Sequence, residues 1–491
     1  MSFHSLLNSI IDSQSVTKNS LINETGIDRS SFYQILSGKR IPTKGQITSI
    51  IRQLDISAAD EMALYDAFYL ERLGETNYHY LKFTEKCLRV VGSPYIDANA
   101  SNNQTPSCSL ELQNKLPDNP IDTDQPQAAT GTILYHSTDE IICGLTKFLI
   151  HASKKENNHL QVSLPFDLSS RIKLFSNIQS LITSGKFQNA TISQLLHFQT
   201  KNPNDITEKL DGFATLLESI LTKEPNITYN IYYYSNEQKV SKNSGVLFPF
   251  YIITDDASLL LNADANKGCL LTDPSLIGLM REEFASVFDH AEPFLSSFSQ
   301  KELPQFQARS IPAEEVIFIQ KQPGACLMVT DDLVDKYVPE EFKETLKQHF
   351  HFMQQMNASE GITLDGIREF ARNHVISESG FYVEANTSDI INALEQLEAR
   401  LDRNLFVLDT EKIPVSDNWA FLLYPDQYAL LVPNKELDFI ICVSDPDIIQ
   451  ALTYTFHSVD FNDFILDKKY VKHELQKLIS ENQNRVADST L

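Results

Sequence analysis

Between Ser15 and Ser57 the chain reads SVTKNSLINETGIDRSSFYQILSGKRIPTKGQITSIIRQLDIS, a pattern of glycines and polar caps that admits only short helices joined by tight turns. Leu21 and Ile22 give an apolar face to a helix from Lys18 to Thr25. Gly26 follows at once, where a helix closes through a left-handed residue. Asp28 can accept from the first amides of the next segment as an N-cap. That segment, Arg29 to Ser37, carries Phe32, Ile35 and Leu36 at the three- and four-residue spacing of one buried helix face. Gly38 stops it. A further helix, Lys44 to Leu54, turns Ile47, Ile50, Ile51 and Leu54 inward.

Two short helices, a glycine turn and a capped second helix make the helix-turn-helix pattern. On these residues the stretch resembles the lambda-repressor-like (Xre-type) helix-turn-helix family. Thr17 opens the second helix and Leu21 packs it; Gly26-Ile27 forms the turn, Ser30 to Ile35 runs along the recognition helix, and Gly38 to Thr43 makes the exit. The resemblance covers roughly the first 75 residues. Two positions depart from it. The family often has Gln after the Thr and Ala after the Leu, where this chain has Lys18 and Ile22. Lys18 can still meet a phosphate, and Ile22 implies a slightly wider contact between the motif helices.

The resemblance implies double-stranded DNA as partner, with the start of the recognition helix in the major groove. Arg29, Ser30, Tyr33 and Gln34 are then the base-reading candidates: Arg can bridge the two acceptors of guanine, and Gln can pair bidentately with adenine. Phosphate anchoring falls to Lys18, Asn19, Ser31, Lys39, Arg40 and Lys44, beside the amides at helix starts. Charge agrees. Up to Leu54 six cations stand against three acids, a net +3, whereas the whole chain is −24. A basic module on an acidic body can touch DNA only through that module, because the rest repels phosphate.

With 491 residues there is room for about three domains. No apolar run approaches the roughly 20 residues of a membrane span. The first residues, MSFHSLLNSIIDSQ, lack a basic leader and read as the first helix of the module, which points to the cytoplasm. Six cysteines without paired spacing fit reduced thiols better than a disulfide framework or zinc site.

The expected organisation is multidomain: an all-α helix-turn-helix domain at 1–75, then an α/β body with an internal repeat. A fifth helix should place Met62, Leu64, Phe68 and Leu70 on or near one side, and its Asp60–Arg72 span is a candidate contact between modules. A connecting helix occupies 76–96. Residues 97–131, rich in Asn, Pro, Asp, Gln and Ser, read as a solvated linker. Lobe one is placed at 132–300, lobe two at 301–480 and a tail at 481–491. HLQVSLPF, ITYNIYYY, FPFYIIT and SLLLNA read as strands. TDEIICGLTKFLIHASKK, SSRIKLFSNIQSLITSG and PSLIGLMREEFASVFDHA read as helices, and the alternation argues a central sheet.

The repeat shows as Thr272-Asp273-Pro274-Ser275-Leu276-Ile277 echoed by Ser444-Asp445-Pro446-Asp447-Ile448-Ile449, continuing from Phe284, Ser286 and Val287 onto Phe456, Ser458 and Val459 at an offset of 172. Asp256, Leu260 and Leu261 fall on Asp426, Leu430 and Leu431 after a two-residue slip. Each copy reads strand, turn, strand, loop, then a helix capped by Asp with Pro in its first turn. The layout is loosely similar to regulators whose sensor resembles a phospholipase-D-like lobe. Its chemistry needs a His followed two residues on by a Lys, and no His of this chain is followed by Lys at that spacing.

No catalytic constellation emerges, and no cofactor or metal is expected. A phosphate-cradling glycine loop, a G-x-S-x-G elbow and an H-E-x-x-H helix are all missing. His349 and His351, two apart on an expected helix, point to different sides. Asp255-Asp256 and Asp331-Asp332 are paired acids at expected strand ends, suited to turns and caps. Tyr229, Tyr232, Tyr233 and Tyr234 form an aromatic strand whose second face can line a ligand pocket. Trp419 is placed just before a strand. The reading is a homodimeric, non-catalytic transcriptional regulator whose body senses a small-molecule or peptide signal or drives dimerisation. The alternative is an enzyme or protein-interaction module recruited to DNA through its helix-turn-helix.

Overall fold

The computed structural model describes residues 2–93 apart from 15, and then 132–154, 158–165, 190–198, 203–221, 227–235, 247–299, 315–324, 329–355, 357–378, 381–434 and 439–489, with a few isolated positions between them. The expected linker at 97–131 lies outside the described residues, as does most of the helical stretch expected at 169–185. The architecture is an N-terminal helical region followed by a large mixed-sheet body with helices. Two compact units divide it, Met1–Lys82 and Phe83–Leu491.

The first unit holds α1 (Phe3–Ser13), α2 (Lys18–Thr25), α3 (Arg29–Leu36), α4 (Lys44–Arg52), α5 (Ala58–Leu73) and the start of α6 (Glu75–Val91). Each short helix is opened by a side chain that satisfies an amide its own ladder cannot reach. Thr17 accepts from Ser20, Asp28 from Ser31, and Ser57 from Asp60. Thr43 and Gln46 form a reciprocal capping box at α4. Their apolar faces meet in one core around Phe3, Leu7, Leu21, Phe32, Ile47 and Phe68. The expected face of α5 needs correction: Leu64 and Phe68 are buried, whereas Met62 and Leu70 are exposed. Leu64 and Phe68, four residues apart, share one face, and Met62 and Leu70 each lie two residues, about 200° round the helix, from one of them.

In the second unit come β1 (Thr132–Tyr135), α7 (Thr138–Ala152), β2 (Asn158–Ser163), β3 (Ala190–Phe198), α8 (Pro203–Leu221), β4 (Ile227–Ser235), β5 (Phe250–Ile253), β6 (Ser258–Leu261), β7 (Gly268–Leu271) and α9 (Pro274–Phe288). There follow β8 (Glu292–Ser299), β9 (Glu315–Ile319), α10 (Asp331–Tyr337), α11 (Glu340–Gln355), β10 (Asn357–Thr363), α12 (Leu364–Asn373), a hairpin of β11 (Val375–Glu378) and β12 (Phe381–Glu384), and α13 (Thr387–Arg400). The unit closes with β13 (Leu405–Leu408), β14 (Trp419–Tyr424), β15 (Tyr428–Pro433), β16 (Phe439–Val443), α14 (Pro446–His457), a short 3-10 turn (Val459–Phe464) and α15 (Lys468–Ser489).

Apart from the hairpin, the described strands form one sheet in the order β1-β7-β6-β5-β2-β3-β4-β8-β16-β15-β14-β9-β10-β13. From β1 to β4 the neighbours pair antiparallel four times and then parallel twice. From β8 to β13 the same succession recurs. An antiparallel β4–β8 pair joins the two stretches. Every residue of β14 and β15 is buried, so both sheet faces are covered there and the strands read as continuous apolar runs.

Three local expectations are corrected. Trp419 is the first residue of β14 and fully buried. Asp331 and Asp332 stand in the first turn of α10, where carboxylates favour the helix dipole, and not at a strand end. Cys87, Cys269 and Cys442 are free and buried, but Cys143 is disulfide-bonded, against wholly reduced thiols. Among the described residues no helix is long and apolar enough to cross a membrane.

Candidate nucleic-acid interface

Helix α3 separates its two faces cleanly. Phe32, Ile35 and Leu36 are buried, while Arg29, Ser30, Tyr33 and Gln34 are exposed side by side on the opposite face. At 100° per residue those four positions span about 140° of the helix surface. The Arg29 guanidinium carbon lies 5.9 Å from the centre of the Tyr33 ring, which in turn packs edge-on against buried Phe32. The outer face is thereby tied to the core.

Both ends of α3 are fixed. Before it, Gly26 adopts the left-handed conformation, φ 67°, and ends α2. After it, Gly38 does the same at φ 70°, and the Gln34 carbonyl accepts from the amides of Lys39 and Arg40. Asn8 of α1 donates from Nδ2 to the Leu36 carbonyl at 2.7 Å, pinning the C-terminal end. The Asp28 carboxylate accepts from the Ser31 amide at 2.9 Å, and the Ser31 hydroxyl accepts from Arg40 Nη1 at 2.7 Å. Hydrogen bonds from the Ser31 hydroxyl and amide hold the Asp28 carboxyl below the usual carboxylate range, with a smaller pull from Arg40.

That network shows where the phosphate candidates stand. Asn19, Lys39 and Arg40 are exposed, and Lys18 and Lys44 half-buried. Ser31 is buried, its hydroxyl engaged by Arg40. Lys18 lies 3.4 Å from Asp12. Sequence reasoning missed Asn8 and the Asp28–Ser31–Arg40 chain; a Ser three residues after an Asp cap, with an Arg in the exit turn, was its visible signal. Positive charge is local: carried to Lys82, the unit has eight cations against nine acids.

Helix α6 continues from this unit into the next, where it lies against elements of both sheet stretches. The Phe83 ring sits 5.9 Å from that of Phe213 on α8. Lys86 reaches Asp211 of α8 at 3.5 Å. Thr84, buried, donates to the Thr455 hydroxyl of α14 at 3.0 Å and approaches the Ala451 carbonyl at 3.5 Å. Beside it, Lys209 of α8 stands 2.6 Å from Asp445 and 2.7 Å from Asp447 at the start of α14. Burial raises the Asp445 carboxyl, while the Lys209 charge opposes that rise.

The other sequence candidates are not assembled into a site. His351 is exposed and paired with Asp331 at 2.9 Å; the side chain of His349 lies outside the described residues. Among the described residues no group of His, Cys, Asp and Glu could hold a metal ion. Asp255 is paired with Arg281, and Asp256 with His151. In the tyrosine strand, Tyr229 is buried and the Tyr233 hydroxyl donates to Glu292 at 2.6 Å. A cavity of about 320 Å³ elsewhere in the body is lined by Phe406, Phe456 and Phe461 together with Arg403, His457 and Lys468.

No family model and no curated protein matches the chain. Among solved structures it is similar to one described as TrmBL2, an archaeal chromatin protein with a novel mode of DNA binding. Identity is 11%, the TM-score 0.22, and the match covers 58% of this chain and 91% of that one. A likeness so remote bears on neither fold nor function.

Proposed function

We propose that this chain is a sequence-specific transcriptional regulator of the lambda-repressor-like helix-turn-helix type, reading duplex DNA with α3. One observation carries the reading. Arg29, Ser30, Tyr33 and Gln34 share the free face of a helix held at both ends, with Lys39 and Arg40 in the turn that follows. That is the layout needed to present base-reading groups while flanking cations meet phosphate. Ser31 acts in this reading as a positioning residue for Arg40, not as a phosphate ligand.

The body is read as a non-catalytic duplication, working in the cytoplasm as signal receiver and dimer platform. Support comes from the identical order and direction of pairing in the two seven-strand stretches, β1 to β4 and β8 to β13. The loose likeness to phospholipase-D-like sensor lobes rests on the repeated strand-turn-strand-Asp-Pro-helix pattern of the sequence. The cavity beside Phe406 and Phe461 offers room for a small ligand at the lower end of the usual volume range, about 300–1,000 Å³.

The test is selection of bound duplexes with the full chain, followed by substitution. Arg29→Ala or Gln34→Ala should each cost about 1–3 kcal/mol and relax preference at one base position. Lys39→Ala should weaken all sequences alike and flatten the salt dependence. Unchanged binding and preference in both the Arg29 and Gln34 variants would refute the assignment.

A further inference from the structure

On the duplicated reading, on which this inference rests, α9 and α14 are equivalent helices. At the offset of 172, Leu276 falls on Ile448, Leu279 on Ala451 and Glu283 on Thr455. On α14 that stripe is covered: Ile448, Ala451 and Thr455 are all buried, and Thr84 of α6 bonds to the last two. On α9 the same stripe is bare, with Leu276 47% and Leu279 62% exposed. On the sheet-facing side, by contrast, Ile277 and its counterpart Ile449 are both buried.

The strands beside these helices repeat the contrast. β8 is paired on both edges, to β16 and to β4. Its counterpart β1 pairs only with β7 among the described residues, and its Leu134 is 56% exposed. An open strand edge and a bare apolar helix stripe at corresponding places mark one end of the body as an unfinished interface.

We infer that a second copy of this chain covers that end, giving a twofold dimer through α9 and the free edge of β1. A chain of net charge −24 repels itself, so self-association needs a contact free of charge. This end comes near to that: residues 274–280, Pro-Ser-Leu-Ile-Gly-Leu-Met, and β1, Thr-Ile-Leu-Tyr, carry none, and the one charge of the stripe, exposed Glu283, stands at its far end. Antiparallel pairing of β1 with its copy supplies the neighbour that β8 finds in β4. Such a contact is self-complementary and closes at two subunits.

The test uses sedimentation equilibrium of the full chain without DNA, so its outcome is independent of the DNA reading. The wild type should be dimeric at micromolar concentration. Leu276→Glu with Leu279→Glu should raise the dimer dissociation constant at least about a hundredfold while circular dichroism and Trp419 fluorescence stay native. Should that pair not fold, Leu279→Cys serves instead: mild oxidation should give a disulfide-linked dimer of the full chain. Met62→Glu with Leu70→Glu on α5 should leave the dimer intact. A monomeric wild type, a dimer indifferent to the α9 changes, failure of Leu279→Cys to cross-link, or a dimer broken from α5 instead overturns the inference.

Discussion

Replacing Lys209 by Met isolates the energy stored where α8 meets the start of α14. Lys209 is nearly buried and Asp445 completely so, at 2.6 Å, whereas the second partner, Asp447, is half-exposed and therefore partly screened. Met keeps most of the Lys volume, so packing is little changed and the loss is electrostatic. Removing one member of a buried pair strands the other charge and costs about 3–5 kcal/mol. The sign with pH follows from the raised Asp445 carboxyl. A carboxyl raised in the folded state contributes stability that is present at acid pH and lost as pH rises through the folded value. Without Lys209 that value rises further. The penalty of Lys209→Met should thus be full at neutral pH and shrink as the pH falls and Asp445 takes a proton. Adding Asp445→Asn, which keeps an N-cap acceptor, should recover most of the loss and abolish its pH dependence. Urea unfolding followed through Trp419, buried in the same unit, reads these differences. A penalty below about 1 kcal/mol at neutral pH, or one that is constant with pH, refutes the reasoning.

Two further changes test separate joints. Thr84→Val, isosteric but without its hydroxyl, should cost about 1 kcal/mol and speed amide exchange along the C-terminal half of α6, because the bonds to α14 are lost. Unaltered exchange there would show that apolar packing alone holds the helix. Gly26→Ala meets no atom within 4 Å, so its cost comes only from φ 67°, about 1–2 kcal/mol, and Gly26→Asn should cost less; equal costs in thermal melts of the two variants would contradict that origin.

Much of the local structure was legible because its causes are local. Thr17, Asp28 and Thr43 cap helices within three residues of themselves, and Asp273-Pro274 and Asp445-Pro446 do the same in the body. The exposed face of α3 follows from the spacing of Phe32, Ile35 and Leu36 alone. Strand order was not legible, since β2 lies between β5 and β3 through contacts far apart in sequence. Nor was the burial of Ser31, which depends on Arg40 folding back over it. Met62 and Leu70 misled because apolar character says what a residue prefers, while the extent of the neighbouring core decides what it obtains.

The two Asp-Pro caps show how little of a residue's energy is written beside it. Asp273 and Asp445 make the same pair of bonds, each accepting from the amides two and three residues on. Locally they are interchangeable. Asp273, however, is partly open to solvent, whereas Asp445 is covered by α8 and faces Lys209, and its burial raises its carboxyl. The difference comes from a neighbour more than two hundred residues upstream in the chain. The proposed duplication makes that asymmetry unavoidable, because two equivalent units in one chain meet through one junction and leave the corresponding surface of the first unit without its cover. A charged lock such as Lys209–Asp445 suits a junction whose partner is always present, since the desolvated pair is never exposed alone. An end that must also exist uncovered before a second chain arrives is better left apolar and uncharged, as Leu276, Leu279 and β1 are.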